Sequence, residues 1–110
     1  MNVLRYAPLP LRPARFAALQ AALGCHDLVV TEAHPASPDV IMAAIASSHP
    51  AVVVLDATPG VDKQALAYEL TTNGSSTLVV VPSFESHRDN HGLPIATFTG
   101  YAILLGGASK

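Results

Sequence analysis

Charge is scarce in this sequence. Only 13% of its 110 residues are Asp, Glu, Lys or Arg, against roughly 25% in soluble domains generally. Half of the residues are hydrophobic, which excludes intrinsic disorder, a state that needs low hydrophobicity and high net charge. Six Lys and Arg against eight Asp and Glu leave a net charge of −2. The basic residues Arg5, Arg12, Arg15, Lys63, Arg88 and Lys110 are scattered along the chain. Phosphate backbones need a basic footprint, so direct nucleic-acid binding by this domain is not expected. A single cysteine, Cys25, rules out an internal disulfide and any multi-thiolate metal site. Apolar runs are short: Val40–Ala46, among the longest, has seven residues, far below the ~18 of a membrane span. Met1 to Tyr6 lacks the basic start and apolar stretch of a signal peptide. These absences predict one soluble, cytoplasmic domain spanning 1–110 with no membrane contact.

Nucleotide and flavin chemistry is missing as well. The sequence has no G-x-G-x-x-G and no P-loop. The segment Ala7-Pro8-Leu9-Pro10, after the first apolar run, has no glycine to cradle a phosphate and no cysteine to act as a nucleophile. The expectation is a protein that is not an enzyme and carries no cofactor and no metal.

What is present is an alternation of two patterns. Short runs rich in Val, Leu and Ile recur at Val3–Tyr6, Leu28–Thr31, Val52–Leu55, Leu78–Val81 and Tyr101–Leu105. They do not alternate cleanly between apolar and polar, as expected of strands buried on both faces of a parallel sheet. Between them lie helical segments. Phe16, Leu19 and Leu23 share a face, and Gly24 is a stop signal. Ser37 and Pro38 mark a helix start that runs to Pro50. Asp62 can cap a third helix that carries Leu66 and Leu70 and ends at Asn73-Gly74. Strand and helix in this order predict an open α/β sheet with helices on both faces. Phe84–Thr99 reads as a loop with at most a reduced fourth helix. No final helix follows the fifth run, which predicts an uncovered edge strand that another chain, or a later part of a longer protein, would cover.

Several segments also match a known pattern. Val3-Leu4, then Pro10-Leu11 and Ala17 to Leu23, is similar to the family's first strand and helix, and Leu28 to Ala33 to its second strand. His49 to Asp56, followed by Pro59-Gly60-Val61-Asp62, is similar to a third strand, a phospho-acceptor aspartate and a Pro-Gly turn, with one residue fewer between Asp and Pro. Leu78 to Val81 with Phe84-Glu85, and Gly100-Tyr101, resemble the fourth strand and the start of the fifth. On these residues the chain resembles the receiver domain of NarL-type response regulators, which carry a LuxR-type helix-turn-helix after the receiver. The resemblance implies a flavodoxin-like, parallel five-stranded sheet of order 2-1-3-4-5, with Asp56 in the crevice at the carboxyl ends of the strands.

The departures from that pattern are specific. The acidic pair that holds Mg²⁺ in receivers falls on Ala7 and Pro8, which offer no carboxylate oxygen. The switch Ser/Thr falls on Pro82, or on Ser83 with a one-residue slip, and the lysine falls on Leu104. Without cation and lysine a phosphoryl group of about −1.5 to −2 charge lacks compensation. The resemblance therefore implies a phosphorylation-independent receiver domain of a transcriptional regulator, working as a homodimer or by docking onto its DNA-binding effector domain. The alternative is a sensor with a small-molecule ligand in the crevice. Asp56 itself reads as a retained signalling residue or as a cap of the next loop.

Three lesser signals have plainer readings. His87 and His91 share the i, i+4 spacing of a helical metal pair, but Gly92 and Pro94 favour a loop. His87-Arg88-Asp89 imitates a kinase catalytic loop with every other kinase element missing. Cys25-His26 reads as a surface turn, not a reactive thiol pair.

Overall fold

The computed structural model describes residues 1–56 and 61–104. Helix boundaries follow from local chemistry. Helix α1 (Pro13–Leu23) opens with proline, whose fixed φ suits the first turn. It closes at Gly24, at φ +63°, a left-handed conformation that glycine adopts without steric cost. Helix α2 (Pro38–Ser48) is capped by the Ser37 side chain, which accepts from the Val40 N–H. Helix α3 (Lys63–Thr72) is capped by Asp62, whose Oδ1 accepts from the Ala65 N–H at 3.1 Å. The caps expected at Ser37, Asp62 and Gly24 are all in use.

Five strands, β1 (Asn2–Tyr6), β2 (Val29–Ala33), β3 (Val52–Leu55), β4 (Leu78–Arg88) and β5 (Pro94–Leu104), form one sheet of order β2-β1-β3-β4-β5. The first four run parallel. All of β3 is buried, which explains its continuous apolar sequence. One face of the sheet packs Tyr6, Val53, Leu55 and Val79 against Ile41 and Ile45 of α2 and Leu66 and Leu70 of α3. The opposite face packs Val3, Val52, Val54 and Val80 against Leu19 of α1. Burying side chains of this size stabilises the fold by roughly 1.5–3 kcal/mol each relative to exposure.

The fourth and fifth strands correct the expectation of an all-parallel sheet. Residues 84–88 and 94–98 are strand, not loop, and no fourth helix forms there: β4 and β5 are an antiparallel hairpin. Only five residues, Asp89–Leu93, join them, whereas a parallel crossover needs a dozen or more. Asp89 organises the turn, its Oδ1 accepting the N–H groups of His91 and Leu93 at 2.8 Å each. Gly92 and Pro94 therefore mark a hairpin turn and the first residue of a strand, where proline is tolerated. The end of the fifth apolar run at Leu105, the expectation that no final helix follows it, and the Pro59-Gly60 turn all fall outside the described residues. No helix among the described residues is long and apolar enough to cross a membrane.

Candidate functional site

A charged residue inside a buried strand must be paired, and β1 contains one. Arg5 is 3% exposed and faces the α1 side, as its neighbour Val3 does. In register, Arg5 lies between Glu32 of β2 and Val54 of β3. Asp56, two residues beyond Val54, comes out on the same face and is also 3% exposed. Arg5 donates Nε and Nη2 to Asp56 Oδ2 at 3.1 and 2.8 Å. Its Nη1 donates to Glu32 Oε1 at 2.8 Å and to the Leu9 carbonyl at 2.9 Å. Such charge-assisted, fork-shaped pairing is what guanidinium geometry favours.

Two more elements close on the same carboxylate. Arg15, in the first turn of α1, donates Nη1 to Asp56 Oδ1 at 2.6 Å. Tyr101 of β5 donates its hydroxyl to Asp56 Oδ2 at 2.6 Å. The Arg15 guanidinium also lies 4.0 Å from the centre of the Phe98 ring, and Phe98 packs edge-on against both Phe84 and Tyr101. Burial raises the Tyr101 pKa, and donation to Asp56 raises it further against the opposing pull of Arg15. Burial works against the Arg15 charge, but Tyr101 and Asp56 outweigh it and raise that pKa. Asp56 thus ties β1, α1, β3 and β5 together through side-chain donors.

Beside this network lies a crevice of about 440 Å³. Its apolar wall comes from the Ala7–Pro10 loop, Val81, Pro82 and Phe84. Among the described residues four cations border it, Arg5, Arg12, Arg15 and Lys63, with Asp56 as the single carboxylate. Four of the six Lys and Arg that look scattered in the sequence are therefore gathered at one site.

Of the residues singled out from sequence, Asp56, Ala7, Pro8 and Pro82 meet at this crevice. Ser83 does not border it and sits at the bulge of the hairpin. Leu104 is elsewhere: because β5 runs antiparallel, it pairs with Val79 and packs on the α2–α3 face. Tyr101 reaches Asp56 instead. The Mg²⁺ of receivers does not fit the donors present. Ala7 and Pro8 have no side-chain oxygen, Asp56 is engaged by cations, and Glu32 is paired with Arg5. Among the described residues no group of three or more His, Cys, Asp or Glu could hold a metal ion. His87 lies in β4 opposite Ile95, its Nε2 3.3 Å from Thr97 Oγ1, and His91 lies in the turn. Cys25 follows the cap of α1, with Sγ 3.7 Å from the Asp27 carbonyl.

Sequence reading missed Arg5, Arg15, Tyr101 and Glu32. One signal was present: Arg5 interrupts an apolar strand run, and a cation there demands a buried partner. The convergence of Arg15 and Tyr101 has no local signature, because it depends on the direction of β5. No protein-family model matches the chain, and no curated protein matches it.

Proposed function

We propose that this chain is a cytoplasmic, receiver-like regulatory domain of flavodoxin-like architecture that works without phosphorylation. Its output is association, with a second copy or with a DNA-binding effector domain. The observation that carries this reading is the engagement of Asp56. Both oxygens already accept from Arg5, Arg15 and Tyr101, and the acid-pair positions are Ala7 and Pro8. An acceptor aspartate needs a free oxygen for in-line attack and a bound metal ion to bridge and neutralise the transferring phosphoryl group. The oxygens of Asp56 are engaged, and Ala7 and Pro8 offer no carboxylate to hold the metal. Incubation with Mg²⁺ and acetyl phosphate, followed by intact-mass spectrometry, is expected to leave the chain unmodified. A stoichiometric +80 Da adduct that disappears in Asp56→Asn would falsify the proposal.

A second reading is favoured by the crevice. Its volume and apolar wall suit a small ligand, so the domain acts as a sensor whose ligand takes the place of phosphate. Thermal unfolding against a metabolite panel separates the two readings, because a ligand specific for the folded state raises Tm.

A further inference from the structure

We infer that the crevice beside Asp56 is a binding site for a small organic anion, with its carboxylate or phosphate held by Arg12, Arg15 and Lys63 and its apolar body against the Ala7–Pro10 loop and Val81. The inference deepens the second reading above and rests on it.

Segregation of charge is the first support. The chain as a whole is net negative, yet four of its six Lys and Arg border one crevice, and one of its eight Asp and Glu does. A concave site lined by one sign of charge, with low-dielectric walls, concentrates counter-ions of the other sign. Arg5 is not part of that surplus, because Asp56 and Glu32 occupy it. Arg12 and Lys63 form no salt bridge among the described residues. Arg15 spends one Nη on Asp56 and keeps most of its N–H donors.

Preorganisation is the second. Arg15 is held between the Asp56 carboxylate and the Phe98 ring, so its planar fork is presented without a large loss of side-chain freedom on binding. Helix α1 begins between Arg12 and Arg15, with neither a side-chain cap nor an acidic residue in its first turn. The positive end of that helix adds to the field. Size and polarity set the class of ligand. About 440 Å³ falls within the range of small-molecule sites, and the proline-rich wall offers van der Waals contact to a hydrocarbon or ring.

The test is thermal unfolding of the full chain with benzoate, phenyl phosphate or phenol, each against sodium chloride at equal ionic strength. The wild type and the double variant R12Q/K63Q are compared; neither residue belongs to the Asp56 network, and each protein's own Tm without ligand reports its folding. At saturation, benzoate or phenyl phosphate is expected to raise the wild-type Tm by about 5 °C or more, and the larger rise identifies the head group. The double variant is expected to lose most of that rise, and phenol not to reproduce it. An equal rise in the double variant overturns the proposal. Stabilisation by phenol, or by a neutral metabolite of a wider panel, with none by either anion overturns the anion but leaves a ligand in the crevice. Stabilisation by nothing overturns both.

Discussion

Asp56 and Arg5 are each 3% exposed, and each is the other's buried ionic partner. The pair is one part of a larger arrangement, because Arg15 and Tyr101 complete the acceptor sites of the carboxylate. Tyr101→Phe removes one hydrogen bond to a charged group and leaves the other donors in place. It is expected to cost about 1.5 kcal/mol in urea unfolding. The same side chain sets an alkaline limit. Burial and the hydrogen bond to Asp56 raise the Tyr101 pKa, and burial raises that of Tyr6. A raised folded-state pKa gives stability that is complete below the unfolded tyrosine value, about 10, and is lost as pH climbs through the folded value. Stability is therefore expected to fall above about pH 10. Tyr101→Phe should flatten part of that fall and leave the Tyr6 share; an unchanged slope would show that Tyr101 does not contribute.

Among the elements, β4 has two lives. Val79 and Val80 pair with both β3 and β5 and are fully buried, whereas Phe84–Arg88 pairs only with Pro94–Phe98 among the described residues. A bulge joins the halves: Ser83 pairs with Gly100 and Phe84 with Phe98, so Thr99 is the extra residue. In a regular strand Phe98 and Tyr101, three residues apart, would lie on opposite faces. The bulge brings both rings to the α1 side, where Phe98 meets Arg15. Native-state hydrogen exchange is expected to show the break, with Val79 and Val80 amides strongly protected and those of Glu85–Arg88 and Ile95–Thr97 exchanging far faster. Uniform protection along β4 would contradict it. The same division explains what was legible in the sequence. Buried β3 and the capped helices α2 and α3 were readable because burial and capping leave local marks at Val52–Leu55, Ser37 and Asp62. The outer hairpin has no buried face, so its residues carry no apolar alternation, and Asp89 to Pro94 reads as a break in structure when it is a turn.

At the scale of the whole molecule, the hairpin draws the chain out to 48 × 29 × 27 Å with a radius of gyration of 14.6 Å, against about 13 Å for a compact domain of this length. It also makes β5 an edge strand, and Phe84, Ile95 and Ile103 are exposed on this hairpin. Long exposed edges with apolar side chains pair with other chains. Sedimentation velocity at tens of micromolar is expected to show dimers; a clean monomer would count against output by self-association. The site was half legible. Asp56, Ala7, Pro8 and Pro82 can be picked from linear order because the first three follow the ends of β3 and β1 and Pro82 follows the part of β4 that pairs with β3. Arg15 and Tyr101 cannot, since they reach Asp56 through a helix and a reversed strand. This network makes Asp56 a structural anchor where the resemblance places a phospho-acceptor. Urea unfolding of Asp56→Asn tests that claim most directly. Removing one member of a buried charge pair leaves Arg5 under-compensated, and the variant is expected to lose about 3–5 kcal/mol or fail to fold. An unfolding midpoint equal to that of the wild type would contradict the account, because it would mean that Asp56 is free of the network and open to modification.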